Sequence, residues 1–331
     1  MTVSGPELPA HLGVVDAHSH LFIAPVAGGA ADAPVLVDEA GVGRELADFR
    51  AAGGGAVVDC QPGGCGRDGR VLRRLSERAG VHVVASTGFH RRIYYPADAP
   101  LFSLSATAAA DYFHDEIANG LMETRDELAF PDDGQQTATG TKPAAVGRRR
   151  SAVIYPGLIK IAAEASLEAS PRALFEAAAA VAQGTGYAIE MHTERGAAVE
   201  DFLDFFIQRG MSPERLVFCH VDKRPDFELH AELAQAGVML EYDTFFRPKY
   251  EPERHVWPLI GRMADAGLAG QVALATDMAD PGLWVELAGR PGLLGIFTII
   301  KSGLTRLDLP PATIGGLLGG NIAGRLAIKE N

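Results

Sequence analysis

Eight short apolar segments, each followed by a longer stretch of helical periodicity, place the strongest constraint on the fold of this 331-residue chain. Several are nearly continuous in valine, isoleucine, leucine and alanine, which is typical of parallel strands buried on both faces. Eight repeats of β then α predict an α/β fold, the (β/α)8 or TIM barrel, in which functional side chains gather at the carboxyl ends of the strands. The predicted strands are 13–18, 55–60, 81–86, 157–163, 187–192, 216–220, 238–243 and 272–277.

Capping residues delimit the helices between these strands. Ser170 and Pro171 predict the N-cap and first residue of one helix, and Gly184 is expected to end it. Gly237 is expected to end a second helix that begins near Asp226. Each of these helices lies between two predicted strands, as a β/α barrel requires.

Length and composition indicate one acidic globular domain, 1–331. A barrel typically needs about 250 residues and often carries insertions. The formal net charge of −12 argues against nucleic acid and anionic membranes as partners. The absence of a bilayer-length apolar segment or signal-peptide pattern, with three cysteines, leads us to expect no membrane association and a cytoplasmic location. The oligomeric state is left open, with a homodimer as one option.

Residues 126–152 interrupt the regular alternation. They are polar, rich in glycine, threonine and proline, and show no clear periodicity. They directly precede the fourth predicted strand, in a connection on the face away from the carboxyl ends of the strands. We expect a flexible surface insertion, with a lid or an oligomer contact as the alternatives.

Six side chains with metal-binding chemistry occur at the ends of the predicted strands. Because side chains alternate faces along a strand, His18 and His20 point the same way and can bind one ion. Imidazole and carboxylate ligands suit divalent zinc, manganese or cobalt. A lone His-x-His is more often a pair of core or surface histidines, but the recurrence of candidate ligands at strand ends predicts a metal centre. The candidates are His18, His20, Lys160, His192, His220 and Asp277.

A series of motifs, in this order along the chain, resembles the phosphotriesterase family of the amidohydrolase superfamily from about His18 to Arg325. Any one of them would be weak, but the ordered set is specific. The resemblance implies a TIM barrel with a binuclear metal site, usually zinc. The motifs are His18-x-His20, VVDCQPGGCGRD (57–68), STGFHRRIYYP (86–96), GLIKIAAE (157–164), HTERG (192–196), FCHVDK (218–223), LEYDTF (240–245), the TDM that contains Asp277, and GNIAGRLA (320–327).

The resemblance divides the candidate ligands between two divalent ions. Lys160, carbamylated by carbon dioxide, would bridge both ions with its new carboxylate. Burial in an apolar strand is expected to lower the pKa of Lys160 and make its neutral amine available to carbon dioxide, whereas a lysine reaching the barrel mouth is the alternative. The resemblance implies that His18, His20 and Asp277 hold the buried ion, and that His192 and His220 hold the more exposed ion.

Two ions roughly 3.5–4 Å apart would acidify a bridging water, whose pKa can approach about 7 on zinc. The resulting hydroxide would attack a carbonyl or phosphoryl centre, with the more exposed ion polarising the oxygen. Asp277 would accept the hydroxide proton and pass it toward the leaving group, as a general base. We therefore expect a metal-dependent hydrolase acting on ester bonds.

Cationic residues in the loops after the strands suit a small anionic substrate, such as a sugar-lactone phosphate, and salt bridges with acidic residues are the alternative. Two departures from the pattern of the family leave the identity of the substrate open. Asp277 is followed by Met-Ala-Asp-Pro where phosphorylated-lactone relatives tend to carry arginine, and His90 stands where many lactonases have a tyrosine. The expected substrate-binding residues are His90, Arg91, Lys223, Arg247 and Lys249.

The sequence is therefore compatible with three functions. A lactonase or carboxylic-ester hydrolase is preferred, and an organophosphate triesterase differs from it only in the electrophile. A non-catalytic barrel that binds a small molecule is disfavoured, because a relic site would be free to lose Lys160 or Asp277.

Overall fold

The computed structural model describes residues 1–125 and 153–328 and has the predicted TIM-barrel fold. The predicted insertion at 126–152 lies outside the described residues. Within them, nine parallel strand segments occupy eight positions around the barrel. The strands are β1 (Val14–Ser19), β2 (Gly54–Asp59), β3 (His82–Val84), β4 (Ser86–Gly88), β5 (Leu158–Ala162), β6 (Ile189–His192), β7 (Leu216–Cys219), β8 (Met239–Tyr242) and β9 (Val272–Leu274).

The third barrel position is divided between two strands. The predicted strand 81–86 is interrupted at Ala85, so that β3 pairs with β2 and β4 pairs with β5. The chain thus forms two sheets, ordered β1-β2-β3 and β4 through β9. On the opposite side, Asp277 N–H donates to the carbonyl of His18 at 2.8 Å, which links the segment after β9 to β1.

Helices cover the outside of the strands, and their capping agrees with the sequence at one predicted end and differs at another. Helix α6 (Phe227–Ala236) begins after Asp226 and ends at Gly237, whose φ of 107° lies in the left-handed region, as predicted. Helix α4 (Arg172–Thr185) begins one residue later than predicted, with Pro171 rather than Ser170 at its N-cap, and it continues through Gly184, so the predicted end was also wrong. Gly186 ends it instead, because Gly186 has the left-handed φ of 73° and its N–H bonds the carbonyl of Ala182.

The helices of the described residues are α1 (Glu39–Ala51), α2 (Gly69–Ala79), α3 (Ala106–Asn119), α4 (Arg172–Thr185), α5 (Val199–Ile207), α6 (Phe227–Ala236), α7 (Pro252–Asp265), α8 (Ser302–Arg306), α9 (Pro311–Gly315) and α10 (Asn321–Arg325). No helix in this part of the chain is long and apolar enough to cross a lipid bilayer.

Strand alternation decides which side chains enter the barrel. In β5, Ile159 and Ile161 belong to the large core between strands and helices, whereas Leu158 belongs to the smaller core inside the barrel. Lys160 therefore shares the interior face with Leu158. Gly88 has a φ of 107°, and a Cβ there would overlap the carbonyl oxygen of Lys160. Glycine thus lets β4 approach β5 closely beside Lys160.

Candidate metal centre

A cavity of about 400 Å³ opens at the carboxyl ends of the strands. Five of the six predicted metal ligands line it, and Lys160 lies fully buried on β5. The lining ligands are His18, His20, His192, His220 and Asp277. Residues from four separate strand positions are thereby brought together, and Lys160 adds a fifth, as expected for a parallel barrel.

Hydrogen bonds fix the first histidine pair in one orientation. His18 Nδ1 lies 2.7 Å from Glu241 Oε1, and His20 Nδ1 lies 2.8 Å from Gln61 Oε1. With an acceptor on each Nδ1, the Nε2 atoms keep their lone pairs. Both Nε2 atoms lie 3.8 Å from Asp277 Oδ1, which is too long for a hydrogen bond. Two ligands that each lie about 2.0–2.1 Å from one zinc ion are separated by roughly 3–4 Å, so this spacing fits a shared ion.

In the second histidine pair, His220 is buried and His192 is partly exposed. The rings of His192 and His220 are 4.6 Å apart, and His220 Nδ1 lies 2.5 Å from Asp243 Oδ2. His192 Nε2 is buried and has no hydrogen-bond partner among the described residues, with Glu194 Oε2 4.0 Å away. A buried nitrogen without a partner is costly, and a metal ion is a partner that would satisfy it. The donor set therefore fits divalent metal.

Burial keeps these imidazoles neutral. It lowers the pKa of His20 to about 4, and it holds the pKa values of His18 and His220 well below the ordinary value. The pKa of His192 is lowered for the same principal reason. Neutral imidazoles have lone pairs available to a metal at neutral pH.

The surroundings of Lys160 correct the expectation of a lowered pKa. Its Nζ donates to Glu190 Oε1 at 2.9 Å and to Cys219 Sγ at 3.4 Å, and both partners are fully buried. Burial by itself lowers the pKa of Lys160, but the acidic groups around it outweigh burial and hold that pKa well above its ordinary value. These groups are Cys219, Cys60, Glu190 and Glu241. In this arrangement Lys160 is an ion-paired ammonium.

Asp277 is held in a strained and specific position. Its φ of 48° lies in the left-handed region, as does the φ of 64° at His220. Arg247 Nη2 donates to Asp277 Oδ2 at 2.9 Å. Burial raises the pKa of Asp277, but Arg247 and then His220 outweigh burial and leave that pKa below its ordinary value. Asp277 is thus a carboxylate rather than a carboxylic acid at neutral pH.

The predicted cationic cluster is largely occupied by internal ion pairs. Arg91 joins Glu164 and Glu194, with N···O distances of 2.9 and 2.7 Å. Arg247 is bound to Asp277, and Lys249 does not line the cavity, so the predicted role of these residues in binding an anion has little geometric support. Lys223 does line the cavity, with its Nζ 3.8 Å from Asp243 Oδ1.

His90 also lines the cavity, and the position of the proton on its neutral ring can be assigned. The N–H of Arg91 donates to His90 Nδ1 at 2.7 Å, so Nε2 carries the proton of the neutral ring. The His90 ring lies 5.4 Å from the His192 ring and 4.8 Å from the Tyr94 ring. Burial holds the pKa of His90 well below its ordinary value, so this tautomer persists at neutral pH.

Sequence reasoning missed the carboxylates and the amide that orient the histidines. Glu241 lies on β8 and Asp243 follows two residues later, directly after the strand, and Glu190 stands two residues before His192 on β6. The same alternation that paired His18 with His20 would have placed these acidic side chains inside the barrel.

The sequence and the fold have known counterparts. A family model described as the phosphotriesterase family matches residues 1–127 and 150–293. A phospho-furanose lactonase of Mycoplasmopsis synoviae (strain 53) is 25% identical over 284 residues, 83% of this chain and 75% of that protein. An N-acetyltaurine hydrolase of Bos taurus is 28% identical over 216 residues, 63% of this chain and 54% of that protein.

Solved structures agree on the fold. The lactonase Lmo2620 from Listeria monocytogenes superposes with a TM-score of 0.82 over 99% of both chains, at 19% identity. An amidohydrolase from Mycoplasma synoviae gives a TM-score of 0.83 over 100% of this chain and 92% of that chain, at 23% identity. The family match covers most of the chain, and the histidines and Asp277 converge where the resemblance expects a metal centre. The protein therefore belongs to the phosphotriesterase family.

Proposed function

We propose that this hydrolase opens a lactone ring at a binuclear metal centre. The observation that carries the proposal is the convergence of four neutral imidazoles with Asp277. Three of the imidazoles have Nδ1 held by a neighbouring side chain, and the fourth has a buried Nε2 with no hydrogen-bond partner among the described residues. A core histidine pair would not place so many nitrogen atoms without a protein partner around one cavity.

Two divalent ions, zinc or else manganese or cobalt, would be the cofactors. When bound, they supply Lewis acidity toward the carbonyl oxygen and a water of lowered pKa. A carbamate on Lys160 would require the present Lys160–Glu190 ion pair to break. The proposed ligands are His18, His20 and Asp277 for one ion, His192 and His220 for the other, and carbamylated Lys160 for both.

The chain's own side chains then have separate tasks. Asp277 accepts a proton from the attacking water through the carboxylate oxygen not bound to Arg247, and returns it to the ring oxygen as the ester bond breaks. His90 donates its Nε2–H to the carbonyl oxygen and stabilises the negative charge that develops there. Lys223 adds a positive charge at the wall of the cavity.

A lactone is preferred because one relative is named a phospho-furanose lactonase and is similar over 83% of this chain. A relative named N-acetyltaurine hydrolase makes amide hydrolysis the second candidate. Organophosphate triesters need the same metal chemistry and form the third comparison.

The test combines metal analysis with a substrate panel. We expect purified protein to contain close to two equivalents of divalent metal, to hydrolyse lactones faster than N-acyl amides or phosphotriesters, and to lose activity with chelator and regain it with zinc, manganese or cobalt. His192→Ala should lose metal and activity together, whereas His114→Ala, an exposed histidine on α3, should retain both. Full activity in metal-free protein would refute the metal centre, and a preference for the amides would refute the lactonase.

A further inference from the structure

We infer that residues 23–36, the segment after β1, form an apolar subsite for an alkyl or acyl substituent of the substrate. The segment reads IAPVAGGAADAPVL and contains one charged residue, Asp32. The inference rests on the proposed function for the identity of the bond that reacts. It concerns the part of the substrate that does not react. We call residues 23–36 the β1 wall.

The β1 wall is an ordered structure that is fixed at several points. Ile23 and Leu36 exchange two backbone hydrogen bonds of 2.8 and 2.9 Å, which close the segment at its base. Ala24 N–H donates to the carbonyl of Gly66 at 2.8 Å, and Ala30 N–H donates to the carbonyl of Ile93 at 2.8 Å. The wall is therefore tied to the loops after β2 and β4, which lie beside it around the mouth of the cavity.

This wall supplies about half of the residues that line the cavity, and the polar candidate site residues line the rest with a few others. Its lining side chains are small and apolar, and Asp32 is not among the residues that line the cavity. Such a wall excludes water from an alkyl group but offers no side-chain donor to a charged or hydroxylated one. The side chains that matter most are Ile23, Val26, Ala31, Pro34 and Val35.

The charged residues in the rest of the cavity also favour an apolar substituent over a phosphorylated one. Among the described residues that line it, Lys223 is the one lysine or arginine, and Asp243 lies 3.8 Å from its ammonium. Phosphate groups are ordinarily bound by several donors, of which arginine is the commonest when two bonds form together. Arg91 and Arg247, the two arginines expected from the sequence to bind the substrate, are already occupied by carboxylates of the protein. An apolar substituent therefore matches this cavity better than a phosphorylated one.

A homologous substrate series tests the subsite. We expect kcat/KM for γ-lactones to rise about two- to fourfold for each methylene added to an alkyl substituent, until the cavity is filled. A lactone of equal length that ends in a carboxylate should react at least tenfold more slowly than the one that ends in a methyl group. Rates that are independent of chain length, or faster with the carboxylate, would overturn the inference.

Two matched variants locate the effect. Val35 lines the cavity and is 40% exposed, whereas Val37 does not line it and is 53% exposed. Val35→Lys places an ammonium on the wall, so it should reduce the preference for methyl-ended over carboxylate-ended lactones by about tenfold. Val37→Lys adds the same charge outside the cavity and should leave the preference unchanged. Equal changes in both variants would show a general charge effect and overturn the assignment to the β1 wall.

Binding measurements separate this inference from the proposed reaction. The 2-alkylcyclopentanones resemble the lactones but have no ester bond, so calorimetry measures their binding without turnover. Affinity should rise with chain length, and the heat capacity change of binding should become more negative as apolar surface is buried. If lactones are not hydrolysed but this trend holds, the proposed function fails and the subsite stands. If lactones are hydrolysed without any chain-length trend in rate or binding, the subsite fails and the function stands.

Discussion

The two oxygens of the Asp277 carboxylate have different surroundings. Oδ1 lies 3.8 Å from His18 Nε2 and His20 Nε2, and Oδ2 is 2.9 Å from Arg247 Nη2. Because Arg247 holds Oδ2, Oδ1 is the oxygen that both proposed roles, metal ligand and proton acceptor, would use. The two roles can be separated, because asparagine keeps one oxygen donor but cannot accept a proton at neutral pH.

We predict that Asp277→Asn retains most of its metal and loses about 10²–10⁴-fold in kcat, the usual contribution of a positioned general base. Because the pKa of Asp277 is lowered, its carboxylate is present above that pKa, and the wild-type rate should fall only as the pH drops through it. Metal analysis and the pH profile of kcat/KM check this. Metal loss in proportion to activity would make Asp277 a ligand only, and retention of both would assign the proton transfer elsewhere.

The contact of Arg247 with Asp277 favours a positioning role for this arginine over a role in binding the substrate. Its Nη1 donates to the carbonyls of Asp243 and Thr276 at 3.0 and 3.1 Å, which fixes the guanidinium beside the Asp277 carboxylate. Loss of a hydrogen bond to a charged group costs about 1.5–3 kcal/mol, or roughly 10–100-fold. We therefore predict that Arg247→Met lowers kcat/KM by about that factor and moves the acidic limb of the pH profile upward, because the pKa of Asp277 rises.

Substrate charge distinguishes the two roles of Arg247. A positioning residue affects neutral and anionic lactones equally, and Arg247→Lys should restore part of the lost rate. A rise in KM confined to anionic lactones would instead support the substrate-binding role suggested by the sequence.

Two chemically distinct states of Lys160, an ion-paired ammonium and a carbamate, lead to different predictions. In the present structure its Nζ donates to Glu190 Oε1 at 2.9 Å, whereas a carbamate would carry the opposite charge. If the carbamate forms in the metal-bound enzyme, Lys160→Ala should lose both metal and activity, and short carboxylic acids should restore part of each. Carbon-13 NMR after incubation with labelled carbon dioxide would detect the carbamate directly. Unchanged metal content in Lys160→Ala would exclude it as a bridging ligand.

At the level of elements, a buried ion-pair network joins the loop after β2 to helix α3. Arg67 donates to Glu116 Oε1 at 2.5 Å, to Glu123 Oε1 at 2.8 Å and to the carbonyl of Ser86 at 2.7 Å. The Arg67 and Glu116 side chains are essentially inaccessible to solvent. The network therefore holds the loop that carries Gln61, and with it the orientation of His20.

Breaking this network should destabilise the protein far more than breaking a surface pair. We predict that Arg67→Met lowers the free energy of unfolding by about 3–5 kcal/mol, because it leaves buried carboxylates without a counter-charge. Arg74→Met, which breaks the exposed pair with Glu39, should cost about 0–1 kcal/mol. Urea denaturation measures both, and equal losses would contradict the prediction.

Secondary structure was predictable at this scale wherever the signal was local. The apolar runs coincide with the strands to within a few residues, because burial on both faces leaves a continuous apolar pattern. The interruption at Ala85 and the continuation of α4 beyond Gly184 were not predictable. They depend on which strand pairs with which, and on which of two nearby glycines takes the left-handed conformation.

For the molecule as a whole, buried carboxyl groups make stability depend on pH. Asp59 is fully buried and accepts hydrogen bonds from the N–H groups of Leu21 and Gln61, yet burial outweighs these bonds and raises its pKa to about 7. The unfolded chain keeps an ordinary carboxyl pKa near 4. Between these values the folded state holds a proton that the unfolded state has lost, so stability is greatest at low pH and is lost as the pH rises through about 7.

We predict that the unfolding free energy of the wild type, relative to Asp59→Asn, falls by roughly 2–3 kcal/mol between pH 5 and pH 8. The variant has no proton to gain or lose at this position, so the difference between the two curves isolates Asp59 from other titrating groups. Urea denaturation at several pH values provides the measurement. Parallel curves would mean that Asp59 titrates alike in both states.

Local patterns along the chain were sufficient to predict the barrel and the convergence of its candidate ligands. Both follow from short-range patterns: apolar runs predict strands, and the carboxyl ends of parallel strands meet at one edge. His18, His192, His220 and Asp277 lie near one another because each stands at or near the end of such a strand.

The charge and the partner of each site side chain depend on contacts that the folded chain makes between distant residues. Contacts such as His18 with Glu241, 223 residues apart, are invisible to local patterns. The ion pairs of Lys160 with Glu190 and of Arg247 with Asp277 depend on distances across the barrel, and these distances set the pKa values and decide which cations remain for a substrate. The apolar residues of the β1 wall likewise form a candidate subsite only because the fold places them along the cavity. Electrostatic interaction and solvent exclusion are properties of spatial neighbours, and spatial neighbours are established by the fold.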